Sequence, residues 1–150
     1  DADEFYMSKS MNIKQDIENL NYAYGDFAAL GVYWRIYGNN PPFETRQSAE
    51  NYQYWFGDKH IKSWVNPKVI LDFPDPHKAH ISNGKYIDEL GRNVTSPIGK
   101  HTSENIWIKH IWTRSRSEWE TKVNRKGWYQ FYNRKMEEFD SYNKNCVNSD

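Results

Sequence analysis

The chain has one cysteine, no net charge and no long apolar run, and each shortage removes a class of protein. A single cysteine, Cys146, excludes a disulfide framework within the chain and is compatible with a reducing compartment. Twenty Lys+Arg stand against twenty Asp+Glu, giving a formal net charge of zero. That balance argues against general nucleic-acid binding, which needs a basic excess. No stretch approaches the roughly 20 apolar residues of a membrane span. No internal repeat and no low-complexity linker is visible.

What is present is an aromatic-rich, polar chain. Its 150 residues suffice for one domain with a real core. Mean hydropathy is −1.01 and hydrophobic content 37%, low for a globular domain, but aromatics reach 17%, with seven Trp and eleven Tyr. Such rings bury large area and carry polar tips. They suit clefts that bind sugars or bases, and equally a small core built from aromatics.

The periodicity predicts a helix over 10–23, with Ile13, Ile17 and Leu20 at helical spacing and Ser10 as its cap. Residues 27–37 read as a buried strand and 38–42 as a loop. Residues 48–57 read as a short helix or an aromatic loop, 60–65 as a strand, 69–73 as another, and Asp75-Pro76-His77 as a turn. Few apolar residues fall in 83–105, which predicts exposed loops. Residues 106–112 alternate as a strand. Ser117 is expected to cap a helix over 118–125 ended by Gly127. A second amphipathic helix is expected over 128–143, with Tyr129, Tyr132, Met136 and Phe139 near one face. Residues 144–150 are expected to fray. Short strands followed by late helices give an α/β or α+β class.

The chain opens on Asp1-Ala2-Asp3-Glu4-Phe5. Two carboxylates one residue apart can jointly hold a hard divalent cation such as Mg²⁺ or Mn²⁺, whose coordination is completed by water and substrate phosphates. A calcium loop of the EF-hand type is excluded, since Tyr6 and Asn12 stand where that loop needs Gly and Glu. A metal pair at the start of a chain with no initiator Met leads us to expect the back half of a larger domain. Residues 109–126 gather Lys109, Arg114, Arg116, Lys122, Arg125 and Lys126 against Glu118 and Glu120. That is either a surface for a phosphate-bearing small molecule or an ordinary charged helix face. His77 and His80 form a His-x-x-His that lacks further ligands at zinc spacing.

Further segments stand in order behind the Asp-x-Asp. They are Trp34-Arg35-Ile36-Tyr37-Gly38, Lys62-Ser63-Trp64-Val65-Asn66-Pro67, Pro76-His77, His110-Ile111-Trp112-Thr113-Arg114-Ser115, and Glu118-Trp119-Glu120-Thr121-Lys122 leading to Arg125-Lys126-Gly127. Over residues 1–127 the chain resembles the family 92 and family 2-like glycosyltransferases of GT-A fold. Departures are Tyr37 for Phe, Trp64 for an aliphatic residue, Ile111 for Tyr, Arg114 for Lys, and one extra residue before Gly127.

The resemblance implies the C-terminal half of a GT-A (Rossmann-like) mixed sheet with flanking helices and two late helices. It also implies a nucleotide-binding half before Asp1. The activity it implies is transfer of a sugar from a nucleotide-sugar donor to a glycan or lipid-linked acceptor hydroxyl, assisted by Mn²⁺ or Mg²⁺. The fragment is expected to be inactive by itself, and cytoplasmic or peripheral to a membrane. Asp1 and Asp3 are expected to hold the metal, at the carboxyl end of a strand. His110 reaches the same metal or the diphosphate, or merely packs. Arg114 contacts phosphate, as does Lys109 unless it forms an exposed salt bridge. Ser115 starts a helix beside the phosphates or only caps it. Trp34 stacks on a sugar or base, or fills the core. Gly38, Lys62 and His77 complete the substrate-binding expectation. An inverting reaction needs a carboxylate base; Glu44, Asp72 and Asp75 are candidates and Asp75 is chosen, whereas a retaining reaction removes the need. Two other classes stay open: a non-catalytic carbohydrate-binding module and a metal-dependent phosphotransferase.

Overall fold

The computed structural model describes residues 3–39, 43–125 and 134–149. In chain order these form β1 (Glu4–Ser8), α1 (Ile13–Tyr24), β2 (Ala29–Tyr37), a 3₁₀ turn (Ala49–Asn51), β3 (Tyr54–Val65), β4 (Ile70–Asp72), β5 (His80–Ile81), β6 (Tyr86–Ile87), β7 (Ile106–Ile111), α2 (Arg116–Asn124), α3 (Met136–Asn145) and β8 (Asn148–Ser149). The described chain is mixed α/β: β2 and β6 pair in parallel, and β3 and β8 antiparallel. Among the described residues no helix is long and apolar enough to cross a membrane. Contacts divide the chain into two compact units, 4–35 with 57–109, and 1–3 with 36–56 and 110–150.

In the unit of 4–35 and 57–109, the strand order is β1-β7-β2-β3, with β6 beside β2. Its core joins Ala29, Tyr33, Ile61, Tyr86 and Val94, with Val65 and Ile81 packed against them. Helix α1 is capped by Asn12, whose side chain accepts from the N–H groups of Lys14 and Gln15 at 3.1 and 3.2 Å. The expected cap, Ser10, instead donates to Asp16 Oδ1 at 2.7 Å. The expected apolar face of α1 is corrected too, for its buried residue is Asp16, which also accepts from the Tyr6 hydroxyl at 2.9 Å. Gly25 ends the helix at φ 75°, a conformation that costs other residues strain.

Residues 83–105 are irregular, as expected, but they are not simply exposed. Tyr86 through Glu89 are buried. Their burial is polar as much as apolar. Glu89 accepts from Thr102 Oγ1 (2.5 Å) and from the backbone N–H groups of Glu104, Asn105 and Ile106 at 2.7–3.0 Å. A hydropathy reading misses such a segment because the carboxylate, not an apolar run, organises it. Likewise β7 does not alternate: all six of its residues are buried.

In the other unit the continuations of β7, β2 and β3 carry one another, and β8 pairs with β3 through Tyr54↔Ser149 and Trp55↔Asn148. The tail expected to fray therefore ends as a strand, and Cys146 beside it is fully buried. The aromatic stretch read as helix or loop is the first part of β3. Helix α2 starts two residues earlier than expected, capped by Ser115 rather than Ser117. Glu118, three residues after Ser115, completes a capping box; Ser117 has Glu120 at the same spacing, but Glu120 lies toward Arg116 instead, 3.7 Å from its Nε. Trp119 packs on Phe139 of α3 at 6.4 Å, and its indole donates to Lys135 O at 3.1 Å. Of the helix expected over 128–143, Tyr129 and Tyr132 lie outside the described residues, as does the stop at Gly127.

Candidate functional site

Asp3 is the centre of a charged cluster with Arg114, Glu118 and Lys122. Backbone pairing fixes it: Ile111 N donates to Asp3 O at 2.9 Å, which sets Asp3 against the end of β7 between His110 and Trp112. Arg114 Nη2 lies 3.0 Å from Asp3 Oδ2 and Lys122 Nζ 3.5 Å from the same oxygen. Lys122 also donates to Trp112 O at 2.7 Å. Arg114 reaches Glu118 Oε1 at 3.6 Å and adopts φ 55°, a strained backbone for a residue with a Cβ.

Local sequence explains this convergence. The Ser115–Glu118 capping box fixes the first turn of α2, and Lys122 lies one turn beyond Glu118 on the same face. Burial alone raises the Asp3 pKa, but Lys122, Arg114 and His110 outweigh it and hold the carboxyl below its ordinary range. Burial depresses Lys122 to about 8 despite Asp3, with Arg114 and Arg134 adding repulsion. His110 is buried and meets the Trp112 ring edge-on, centroids 5.2 Å apart.

Asp1 lies outside the described residues; Asp3 immediately precedes β1, so it stands at the amino end of a strand and not at the expected carboxyl end. Among the described residues no group of three His, Cys, Asp or Glu side chains could hold a metal ion. For such a cation Asp3 would give one carboxylate oxygen and His110 a ring nitrogen, the remaining ligands being water and phosphate oxygens.

Of the other expected site residues, Trp34, Lys62, Asp72, Asp75, His77 and Lys109 belong to the unit of 4–35 and 57–109, and Gly38, Glu44 and Ser115 to the unit of Asp3. Trp34, His60 and His77 form a three-ring cluster with centroids 5.0–5.2 Å apart. Trp34 is only 8% exposed, so its ring faces fill the core and are not a platform for a sugar. Lys62 pairs with Glu4 at 3.2 Å and lies 5.8 Å from the Trp34 ring. His60, which sequence reading passed over, holds Asp58 Oδ1 at 2.6 Å through Nδ1. The signal for it was the period-two spacing of Asp58 and His60 on one strand face. His77 Nδ1 contacts Ile61 O at 3.1 Å, and burial lowers its pKa.

Asp75 Oδ1 accepts from the backbone N–H groups of His77 and Lys78 at 2.7 and 2.9 Å. Burial raises its pKa, but those two bonds outweigh that and lower it, which makes Asp75 a turn-forming carboxylate and a weak base. His80 pairs with Asp72 at 2.8 Å across β4 and β5. Gly38 is a packing position: a Cβ there falls 2.6 Å from Cys146 Sγ and 2.7 Å from Asn143 Oδ1. A cleft of about 380 Å³ is lined by Lys9, Asp16, Leu20, Tyr24, Glu89 and Ile106. Both its carboxylates are engaged by protein donors.

Among known proteins, the chain matches no family model, no curated protein and no solved structure.

Proposed function

We propose that this chain is catalytic machinery of a GT-A type glycosyltransferase, moving a sugar from a nucleotide-sugar donor to a glycan or lipid-linked acceptor hydroxyl in the cytoplasm or at a membrane surface. One observation carries the reading. Three segments picked out in sequence, the Asp-x-Asp, the His110–Ser115 segment and the Glu118–Lys122 segment, gather around one carboxylate. Asp3 pairs with Arg114 and with Lys122, the latter 119 positions away.

The chemistry fits that gathering. Breaking a nucleotide-sugar bond leaves negative charge on a diphosphate, and fixed cations that meet this charge as it develops lower the barrier. Arg114 offers a planar fork to phosphate oxygens and Lys122 a point charge on a half-buried stem. A bound Mn²⁺ or Mg²⁺ supplies neutralisation of the diphosphate. Asp3 and His110 would hold it, and Arg114 and Lys122, which now pair with Asp3, would be free to meet the phosphate oxygens. The burial of Trp34 weighs against a sugar-stacking module.

The test uses the full-length gene product with a panel of nucleoside diphosphates and their sugar conjugates, with and without Mn²⁺. Mn²⁺-dependent binding of a nucleoside diphosphate and its release from the conjugate are expected. Phosphoryl transfer from a nucleoside triphosphate with no release from any sugar conjugate overturns the reading in favour of a phosphotransferase.

A further inference from the structure

The unit around Asp3 carries a cation that Asp3 does not engage. Arg134 stands just before α3, its guanidinium carbon 5.0 Å from the centre of the Trp112 ring and 6.0 Å from that of Trp119. Lys122 Nζ lies 5.5 and 5.9 Å from the same two rings. The two cations thus share one aromatic platform. Ring faces attract cations but do not neutralise them.

Two N–H donors in this layer are buried without an acceptor among the described residues: Arg134 Nε and Trp112 Nε1. Native proteins keep few such groups, and each calls for an explanation. The nearest carboxylates in the cluster, Asp3 and Glu118, are engaged by Arg114 and Lys122. Residues 121–136 contain Lys122, Arg125, Lys126, Arg134 and Lys135, and no Asp or Glu. An acceptor that satisfies two donors beside two cations is an anion with several oxygens.

We propose that Arg134, the Trp112 indole N–H and Lys122 bind the diphosphate of the donor, with Arg134 serving as a phosphate-binding residue beside Arg114. The assignment of the anion to a nucleotide-sugar rests on the glycosyl-transfer reading; the anion site does not. Arg134 suits the role because its fork meets two oxygens at once. Trp112 contributes a donor that carries no charge and a face that fixes both cations.

The experiment is calorimetric titration of the 150-residue chain with inorganic pyrophosphate at low ionic strength, each variant accompanied by a thermal melt. The wild-type chain binds. Arg134→Ala weakens binding about tenfold or more, and Arg134→Lys by less because it keeps the charge but loses the fork. Trp112→Phe weakens binding severalfold while keeping a ring, and Lys14→Ala, exposed on α1, leaves it unchanged. Should Arg134→Ala melt early, Arg134→Lys and Trp112→Phe carry the comparison. The proposal is overturned if the wild type does not bind pyrophosphate, if these variants bind as wild type does, or if Lys14→Ala loses as much. Failure of the glycosyl-transfer reading looks different: pyrophosphate binds in this Arg134-dependent way, yet no nucleoside diphosphate displaces it in Mn²⁺.

Discussion

Lys122 Nζ lies 3.5 Å from Asp3 Oδ2 and donates to Trp112 O at 2.7 Å, so one ammonium ties the first acidic residue of the described chain to the end of β7. Neither side chain is well exposed, at 18% and 16%. Their pairing is therefore worth more than a surface ion pair, and its removal has two consequences.

Asp3→Asn keeps the shape of the side chain and removes its charge. Arg114 and Lys122 are then left facing each other with less compensation. We expect a loss of about 1–3 kcal/mol in stability, since a half-buried cation loses its partner. In the full-length product Mn²⁺-dependent nucleotide binding is lost as well. Adding Lys122→Met removes the stranded charge, and the double variant regains part of the stability, which a double-mutant cycle by chemical denaturation reads directly. Additive effects of the two substitutions, or metal-dependent binding retained in Asp3→Asn, remove the pair from the site.

Gly38→Ala tests the close approach at the end of β2. The new methyl group falls on Cys146 Sγ and Asn143 Oδ1. Asn143 Oδ1 already accepts from Asn39 N at 2.7 Å and Thr113 Oγ1 at 2.8 Å, so the neighbour cannot move freely. Overpacking of this kind costs about 1–3 kcal/mol. Cys146→Ala opens space on one side, and the double variant is expected to lose less than the sum of the singles. If Gly38→Ala melts with the wild type, the glycine has a role other than packing.

The imidazoles of the unit of 4–35 and 57–109 make stability depend on pH. Burial lowers the pKa of His77 and of His101. Each binds a proton more readily unfolded than folded, so the unfolded state gains protons first on acidification, and stability falls as pH drops below the ordinary histidine value of about 6.5. Lys62 and His60 deepen the effect at His77, and Asp75 opposes it. Arg35 deepens it at His101, and Asp58 and Glu89 oppose it. Urea denaturation at neutral and mildly acidic pH should show this slope, and His77→Gln should flatten it. An unchanged slope in His77→Gln places the titration elsewhere.

Periodicity and turn chemistry made β2, β7, α2 and the Asp75 turn legible in sequence, because each has an apolar run or a local side-chain bond of its own. The capping residue of α2 was missed by two positions because Ser115 and Ser117 each have a glutamate three residues on, Glu118 and Glu120, and the sequence pattern fits both. Residues 83–105 were misread because Glu89 buries them through hydrogen bonds, which no hydropathy scale registers. The first part of β3 was hidden by its aromatic cluster, and β8 by its polarity. At the site, motif order pointed to Asp3, His110 and Arg114; Asp3 pairs with Arg114 and lies against the strand end that carries His110. Arg134 left no trace, since a cation after an acid-free stretch has no spacing that marks it. For Trp34 a sugar platform and a core role both stood open, because sequence reports that a ring is present but not how much of its face is covered.

Ser115 distinguishes a helix cap from a phosphate ligand. It is fully buried, donates to Glu118 Oε2 at 2.8 Å and accepts from Glu118 N at 3.4 Å, so its hydroxyl is occupied by the capping box. Ser115→Ala is expected to cost about 1 kcal/mol, the usual worth of such a cap. Ser115→Thr should restore most of that, since the hydroxyl is kept. The helix start also positions Glu118, and through it Arg114, so Ser115→Ala should lower pyrophosphate affinity only to the extent that it loosens this turn. The two variants should therefore differ in melting temperature, with Ser115→Thr binding like the wild type. A Ser115→Ala chain that melts normally yet loses pyrophosphate binding would make the hydroxyl a direct phosphate contact.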